Sequence, residues 1–488
     1  MVVIEQYPRV AALHGVHGLR ARLIELGLPL PSDDVALAVP VSPLAQPIDL
    51  GNGTGTRLTV ANRFVIQPME GWDATLDGRP TDLTFRRWRN FGRSGAGWIW
   101  GGEAVAVCPA GRANPRQLLL TDDTAADIGR LRHALLAAAT AEPKPVTGLQ
   151  LTHGGRWSRP TPAGGAPRIA FRHPLLDTRA GVTGDAALLS DDEVRTLIRD
   201  FAHAAYLAQE AGFDFVDLKH CHGYLLHEFL AARSRPGAYG GASLAARTRL
   251  LREVVTAVRM AAPRIGVGVR LSVFDCVPHQ PAFVAEDGRR GPGIAETHPL
   301  PYLCGFGIDP NSPDRMDLTE PVAVVRLLRE LGVAWLNVTA GSPYYVPHIQ
   351  RPALFPPSDG YAPPEDPLAG VARLLYAART IKAAVPEMIV VSSGWTYLQE
   401  YVPHVAQACV REHWFDAVGL GRMVLTYPEL PSDVLAGRAL DRRRICRTFS
   451  DCTSAPRNGL VSGCYPLDPF YQARPESVQL AAAKRRRG

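Results

Sequence analysis

The chain alternates between short apolar segments and longer segments whose apolar residues recur at helical period. Near-continuous apolar runs are typical of strands that are buried on both faces, as in parallel sheets. Residues 190–212 show the helical pattern, because Ser190 and Glu193 have capping-box spacing and Gly212 lies where a helix should end. The predicted strands are residues 62–69, 97–105, 145–151, 214–219, 265–271, 334–340, 388–393 and 416–421.

Eight strand–helix units close most economically into a (β/α)8 barrel, the α/β fold known as the TIM barrel. An open, doubly wound sheet is the alternative that the same pattern allows. The predicted organisation is an N-terminal extension over residues 1–46, a barrel over residues 47–440 and an irregular C-terminal segment over residues 441–488. The extension includes one predicted helix, residues 16–27.

Two long segments rich in proline, glycine and aromatic residues interrupt the pattern. They are residues 276–316, after the fifth predicted strand, and residues 341–367, after the sixth. Loops that follow barrel strands lie at the face where barrel active sites form. We therefore predict that both segments are lids over a site, with plain surface insertions as the alternative.

Composition and charge exclude several classes of protein. The 488 residues are 46% hydrophobic and 20% charged, as in an ordinary globular protein. The net charge is +6, and the dense basic run at residues 484–488 is predicted to be a solvated, disordered tail, so no nucleic-acid partner is expected. The N-terminus carries Glu5 and Pro8 where a signal peptide needs an apolar core, and no apolar segment has the roughly 18 residues of a membrane span. We expect a cytoplasmic protein without a membrane partner; a homo-oligomer is compatible with the sequence.

Polar and charged residues are concentrated where the fourth predicted strand ends. Lys219, His222 and Tyr224 occupy positions i, i+3 and i+5, a spacing that can direct three side chains at one ligand. Charges at a buried strand end are costly unless a ligand or partner satisfies them. This cluster is therefore the candidate site for a small-molecule substrate, although Lys219 could instead belong to a structural ion pair.

The segment HCHGYLLHEFLAARSRPGAYGG, residues 220–241, resembles the signature of the old yellow enzyme family. Members of that family are FMN-dependent ene-reductases with a barrel fold. Matching segments in consistent order are NRFVIQPM, DGRPTD, CPAGR, LQLTHGGRWS, VGVRLS and GLGRMVLTYPELP, between residues 46 and 440. The chain is most similar to the branch of 2,4-dienoyl-CoA reductase and trimethylamine dehydrogenase, and we expect it to lack the dinucleotide-binding domains that follow the barrel in that branch.

The resemblance implies an FMN site and assigns roles to individual positions. Pro68 and Met69 would lie under the flavin, while Ala104 and Gln150 would meet its pyrimidine side. Arg270 would face flavin N1 and O2, where a fixed guanidinium stabilises the negative charge of the reduced ring. The FMN phosphate would be held by Ser393, Gly394, Gly421 and Arg422, in the loops after the last two strands.

The resemblance also implies a reaction. Tyr224 matches the family's proton donor, which protonates the α-carbon of an activated alkene after hydride delivery to the β-carbon. NADH or NADPH would be the reductant. The family's His-x-x-His or His-x-x-Asn pair, which holds the substrate carbonyl, reads Lys219-x-x-His222 here. Because the ammonium group of a lysine is a flexible point charge, the sequence indicates the substrate less clearly than it indicates the redox chemistry.

A second departure from the family pattern lies beside the flavin. The family has Thr or Cys after the Pro-Met dipeptide, whereas this chain has Glu70. A carboxylate at this position opposes negative charge on the reduced flavin unless it is protonated or paired. Lys219 is one candidate partner.

The remaining candidates are three cysteines and two histidines. Relatives in this branch hold a 4Fe-4S cluster with four cysteines, of which Cys446, Cys452 and Cys464 are present and Phe449 replaces the fourth. We predict a remnant without a cluster, and the other cysteines as free thiols. His348, on the second lid, is a candidate substrate residue. His153 lies either near the site rim or in ordinary packing.

The sequence thus predicts an FMN-dependent oxidoreductase that uses NADH or NADPH to reduce an activated C=C bond of an enone, enoate or enoyl thioester. Oxidation of a substrate C–N bond, as in the amine dehydrogenase relatives, is the first alternative. A non-catalytic flavin-binding barrel is the second.

Overall fold

The structure, a computed structural model, describes residues 7–51 and 58–485. Its centre is a closed barrel of eight parallel strands, numbered here strand 1 to strand 8 in chain order. They are Phe64–Ile66, Trp98–Ile99 with Ala104–Ala106, Val146–Thr152, Phe215–His220, Gly266–Ser272, Trp335–Thr339, Ile389–Ser392 and Ala417–Leu420. Strand 8 pairs with strand 1, with Val418 opposite Phe64, and this pairing closes the sheet. The predicted barrel is confirmed, and the open sheet is wrong.

Strand 2 is the one barrel strand that the sequence predicted in the wrong form. The expected run over residues 97–105 is split into Trp98–Ile99, which pairs with strands 1 and 3, and Ala104–Ala106, which pairs with strand 3. Gly102 lies between the pieces with φ +52°, and a Cβ there would lie 2.5 Å from the Trp88 ring. The chain leaves the ladder at a point where only glycine fits.

Helices cover the outside of the barrel. The principal ones are Asp82–Gly92, Ala125–Ala138, Asp191–Glu210, Arg249–Ala261, Thr319–Glu330, Pro367–Ala384 and Val402–Arg411, with shorter helices at Leu176–Ala180, Leu225–Ala231, Leu244–Arg247, Met423–Thr426 and Leu430–Leu435. The predicted capping box is present: Glu193 N donates to Ser190 Oγ at 3.2 Å, and Ser190 N donates to Glu193 Oε2 at 2.8 Å. The helix it starts ends at Glu210.

Aromatic side chains seal the amino-terminal end of the barrel. The rings of Trp98, Trp100, Phe215 and Trp335 pack with centroids 4.9 to 6.0 Å apart. Two antiparallel strands, Ile48–Gly51 and Leu58–Val60, lie next to them, and Trp335 Nε1 donates to the Leu50 carbonyl at 2.8 Å. Among the described residues this packing closes the amino-terminal end, so a ligand is expected to enter from the carboxyl ends of the strands.

The N-terminal extension packs against the barrel. Its helix, Gly15–Glu25, buries Val16, Leu19 and Leu23 in the main core. Arg22 pairs with Asp366, the N-cap residue of helix Pro367–Ala384, at 2.7 Å.

Both predicted lids carry structure of their own. Residues 276–316 form two small hairpins, His279–Pro281 with Gly293–Ala295 and Ile308–Asp309 with Ser312–Met316. Residues 341–367 contain the short helix Pro347–Gln350. The two segments touch, because Gly293 N donates to the Ala362 carbonyl at 3.0 Å.

The C-terminal segment is more ordered than the sequence suggested. It contains the helices Asp451–Arg457, Pro469–Gln472 and Pro475–Arg485. Lys484, predicted to lie in a disordered tail, forms an ion pair with Asp451 at 2.7 Å, so the prediction is wrong for this part of the tail. Residues 486–488 lie outside the described part of the chain. Within residues 7–51 and 58–485, no helix has the length and apolar character needed to cross a membrane.

A buried ion-pair network ties the loop after strand 1 to the first outer helix. Arg87, on helix Asp82–Gly92, donates to both oxygens of Asp73 at 2.6 and 2.9 Å and to Glu103 Oε1 at 3.0 Å. Glu103 Oε2 accepts from Gly71 N at 3.1 Å. All three charged side chains are buried, so each depends on the others.

We expect Arg87→Met to lower the free energy of unfolding by about 3–5 kcal/mol, because it leaves two buried carboxylates without their cation. Arg89→Met, on the exposed face of the same helix, should change it by less than about 0.5 kcal/mol. Urea denaturation followed by circular dichroism measures both. Equal midpoints for the two variants would contradict the assignment.

Candidate active site

A cavity with a volume of about 240 Å³ opens at the carboxyl ends of the barrel strands. Its wall brings together most of the residues singled out from the sequence. They are Pro68, Met69, Glu70, Gln150, Lys219, His222, Tyr224, Arg270, Ser393, Gly394, Gly421 and Arg422. Six different strands contribute, so the common cavity is a consequence of barrel closure.

Five of the predicted positions lie outside this wall: Ala104, His153 and His348, and the cysteines Cys446 and Cys464, which are described below. Ala104 is buried in strand 2, opposite Gln150 in the strand pairing. His348 lies between the lids, where its Nδ1 is 2.7 Å from the Tyr361 hydroxyl and its ring packs on His279. His153 is buried, and burial lowers its pKa to about 4, as expected for an ordinary packed histidine.

The turn after strand 4 aims the candidate catalytic side chains into the cavity. His222 has φ +66°, in the left-handed region, and Gly223 follows with φ +74°. The turn is held from two sides: His222 N donates to Ser272 Oγ at 3.0 Å, and Ser342 Oγ donates to the His222 carbonyl at 2.7 Å. Such a conformation is costly for a residue with a side chain, and these contacts keep it in place.

Glu70 is the centre of a hydrogen-bonded cluster in the cavity. Lys219 Nζ lies 2.5 Å from Glu70 Oε1. The Tyr224 hydroxyl and Trp72 Nε1 donate to Glu70 Oε2 at 2.9 and 2.8 Å. The Tyr224 hydroxyl is also 3.1 Å from that of Tyr344. Lys219 is therefore the partner of Glu70, as one reading of the sequence anticipated.

Lys219 has a second contact that restricts its position. Its ammonium group lies 3.6 Å from the centroid of the Tyr224 ring, within cation–π range. The lysine is 4% exposed, so the flexible point charge expected from the sequence is held by a carboxylate and an aromatic face. Lys219, Glu70 and Tyr224 form one unit.

Tyr224 and His222 are both held in their neutral forms. Burial, and then the negative charge of Glu70, raise the pKa of Tyr224 well above its ordinary value. Burial, and then the positive charges of Arg270 and Lys219, lower the pKa of His222 well below its ordinary value. His222 Nε2 lies 3.3 Å from both Thr339 Oγ1 and Gln350 Nε2. The cavity thus offers a protonated phenol and an uncharged imidazole to a ligand.

The family model described as the NADH:flavin oxidoreductase / NADH oxidase family matches residues 43–289, about half of the chain. The chain belongs to this family. An NADPH dehydrogenase of Listeria welshimeri is 30% identical over 206 residues, which cover 41% of this chain and 57% of that relative. A metal reductase of Desulforamulus reducens is 26% identical over 446 residues, covering 91% of this chain and 54% of that protein. The chain thus spans a little more than half the length of these two curated relatives.

Solved structures support the same fold. Morphinone reductase in complex with tetrahydroNAD has a TM-score of 0.56 at 22% identity, over 82% of this chain and 92% of its own. Histamine dehydrogenase from Rhizobium has a TM-score of 0.60 at 20% identity, over 88% of this chain and 52% of its own. At these identities the likeness concerns the fold alone, and the resemblance to the old yellow enzyme family noted in the sequence is confirmed by the family model.

The surroundings of Arg270 fit the flavin of a member of this family. Its backbone N donates to Asp217 Oδ1 at 2.6 Å, and Gln150 Nε2 donates to Asp217 Oδ2 at 2.5 Å. Burial raises the pKa of Asp217 to about 6. Among the described residues, Nε of Arg270 is buried without a hydrogen-bond partner. A buried guanidinium whose Nε has no partner in the described chain is suited to the electron-rich edge of a reduced flavin.

Asp217 is not among the site residues predicted from the sequence, although the sequence contains a pattern that indicates it. It shares a strand face with Lys219, two residues on, and is a carboxylate inside an otherwise apolar strand. The wall also contains Trp72, Tyr344, Gln350, Arg351 and Arg457, which were not predicted, and Cys452, one of the three cysteines of the predicted cluster remnant. Several of these come from the second lid and the C-terminal segment, whose paths have no periodic pattern in sequence.

The three C-terminal cysteines lie near enough to one another for their charges to interact. Cys452 reaches the cavity wall, and burial raises the pKa of Cys446. Phe449, which replaces the fourth cysteine, stacks on Phe355 with a centroid distance of 5.3 Å. Over the described residues, no group of three His, Cys, Asp or Glu side chains has the arrangement of a metal site. A remnant without a cluster stays a prediction, for iron analysis of anaerobically purified protein to test.

Glu70→Gln is expected to raise the midpoint potential of the bound flavin by tens of millivolts. The substitution removes a negative charge next to the ring and leaves Lys219 as an uncompensated cation, and both changes favour the reduced, anionic flavin. Redox titration with a reference dye measures the shift. Glu142→Gln, whose side chain is 76% exposed, is the matched control. A potential unchanged from the wild type would reject this role of Glu70.

Proposed function

We propose that this chain is an FMN-dependent oxidoreductase that uses NADH or NADPH to reduce an electron-poor C=C bond. One observation carries the proposal: a protonated phenol, a neutral imidazole and an unsatisfied guanidinium border the same cavity. Family membership supports it. The acceptor would be an enone, enoate or enoyl thioester.

The residues of the cavity fit FMN from its ring to its phosphate. Met69, Gln150 and Arg270 would hold the ring. Gly394 has φ +100°, which favours glycine, and the position of a Cβ at Gly421 is open space. Arg422 Nη1 is buried without a partner in the described chain. These glycines and the arginine, together with Pro68 and Ser393, would form the remainder of the cofactor site, with Ala104 behind Gln150.

FMN would supply hydride transfer from the nicotinamide to the β-carbon of the acceptor. The protein would supply the proton and the orientation. The Tyr224 hydroxyl is hydrogen-bonded to Glu70 and to the Tyr344 hydroxyl, and it would donate its proton to the α-carbon. His222 and the remaining N–H groups of Lys219 would bind the carbonyl oxygen, drawing electron density from the double bond.

Oxidation of an amine is less well supported by the same geometry. A carboxylate among Trp72, Tyr224 and Tyr344 could attract a cationic amine. Glu70, however, already has a cation at 2.5 Å, the ammonium group of Lys219. Dye reduction driven by a secondary or tertiary amine, without turnover of an enone, would favour this alternative.

His348 is not included in the proposed substrate site because it lies between the lids.

Tyr224→Phe should separate the two half-reactions. Reduction by NADPH needs no proton from Tyr224 and should stay within about twofold of the wild type, whereas oxidation of the reduced enzyme by 2-cyclohexenone should slow by about 10²–10⁴-fold. Anaerobic stopped-flow absorbance measures both rates. Tyr206→Phe, on the exposed face of an outer helix, is the control. Equal slowing of both half-reactions would contradict the role of Tyr224 as the acid.

The oxidative half-reaction should be independent of pH between 6.5 and 10.0, the ordinary pKa values of histidine and tyrosine. Because the pKa of His222 is lowered, its imidazole is neutral at pH 6.5 and above. Because the pKa of Tyr224 is raised, its phenol keeps the proton up to pH 10.0. Stopped-flow rates across the range test this. A titration step within it that disappears in His222→Gln would show that the imidazole changes charge there.

A further inference from the structure

Three arginines meet in one part of the cavity wall. Arg351 comes from the second lid, Arg422 follows strand 8, and Arg457 ends the helix Asp451–Arg457. Arg457 is satisfied: it forms an ion pair with Asp359 and donates to the Pro343 carbonyl at 2.6 Å. Arg422 donates to the Pro352 carbonyl at 3.1 Å. The cationic wall therefore joins three segments that are distant in sequence.

Arg351 is the member of this group whose hydrogen-bonding capacity is least used. Its Nη1 donates to Thr453 Oγ1, but Nε and Nη2 are shielded from solvent and have no partner among the described residues. An unsatisfied buried donor costs about 1–3 kcal/mol, and more when the group is charged. A ligand oxygen would remove this cost.

The carboxylate of Asp359 is near enough to act on Arg351, but it is already paired with Arg457. In the part of the chain that the structure describes, neither Arg351 nor Arg422 forms an ion pair, and the carboxylate in the wall, Glu70, is taken by Lys219. Burial, and then the positive charges of Arg457 and Arg422, lower the pKa of Arg351. A negatively charged ligand would reverse this repulsion.

The neighbours of Arg351 define where such a ligand would lie. Gln350 Nε2 is 3.3 Å from His222 Nε2, on the side of the proposed acceptor. The Pro352 carbonyl accepts from Arg422, on the side of the proposed FMN phosphate. Arg351 lies between these two residues in the chain and lines the same cavity.

We propose that Arg351 is an oxyanion-binding residue of the cavity, and that its ligand is a carboxylate of the acceptor or the phosphate of FMN. The inference rests on the proposed function, because it takes FMN as the cofactor of the cavity. Two parallel N–H groups of one guanidinium match the two oxygens of either ligand. If the ligand is the acceptor, the substrate class narrows to alkenes that carry a carboxylate, such as enoates.

Two pairs of probes that differ in one oxyanion test the proposal on the full-length protein. FMN and riboflavin differ in the phosphate, and their binding to flavin-free protein is measured by fluorescence quenching. The probes 4-hydroxybenzoate and methyl 4-hydroxybenzoate differ in the carboxylate, and their binding to FMN-loaded protein is measured from the shift of the flavin absorption bands. Neither readout requires turnover.

We expect Arg351→Gln to weaken the anionic member of one pair by about 10-fold or more and its uncharged partner by less than about twofold. A loss of affinity for FMN assigns the phosphate as the ligand of Arg351, and a loss of affinity for 4-hydroxybenzoate assigns the carboxylate. Arg351→Lys, which keeps the charge without the fork, should recover part of the affinity. Arg326→Gln, an exposed arginine of helix Thr319–Glu330, should bind all four probes as the wild type does.

Wild-type affinity ratios for both pairs in Arg351→Gln would overturn the proposal, provided that circular dichroism shows a folded protein. Should Arg351→Gln not fold, the same measurements on Arg351→Lys decide, and unchanged ratios in that variant overturn it likewise. Failure of the wild type to bind FMN would instead overturn the proposed function, and this result is visible before any variant is compared.

Discussion

The closure of eight parallel strands is the constraint on which the rest of the structure depends. A strand buried on both faces cannot leave its backbone groups unpaired, and the pairing of strand 8 with strand 1 removes the last free edge. Closure brings Glu70, Lys219, Arg270 and Arg422 to one opening although more than 350 positions separate the first from the last. Because aromatic rings pack together at the amino-terminal end of the barrel, the opening at the carboxyl ends of the strands is the candidate active site.

Burial then determines the charge state of each group at the opening. Lys219 and Glu70 tolerate burial because they are paired, and Tyr224 is hydrogen-bonded to the same carboxylate. The phenol stays protonated and the imidazole of His222 stays neutral for the same reason, the exclusion of water, with the charge of Glu70 acting on one and the charges of Arg270 and Lys219 on the other. One ion pair thus replaces the histidine of the family pattern and lies against Tyr224, the proposed proton donor.

The sequence predicted the barrel and the centre of its site because both depend on local patterns. Apolar strands have a period that can be read directly, and Lys219, His222 and Tyr224 stand close together in sequence, at the end of one strand and in the turn that follows it. The break in strand 2 could not be predicted, because it depends on the Trp88 ring reaching Gly102 across the fold. Arg351 and Arg457 were missed because contacts with distant residues, such as that between Arg457 and Asp359, determine the paths of their loops. The tail helix likewise makes contacts with distant residues, through the ion pair of Lys484 with Asp451 and the packing of Leu480 with Ala455.

The most direct test of the central claim, that this cavity holds a flavin which a nicotinamide can reduce, is the visible spectrum of the purified protein during anaerobic titration with NADPH. We expect a yellow protein whose flavin absorption bands bleach in proportion to the NADPH added and return when 2-cyclohexenone is added. A protein that binds no flavin, or whose flavin stays oxidised with excess NADPH and with excess NADH, would contradict it.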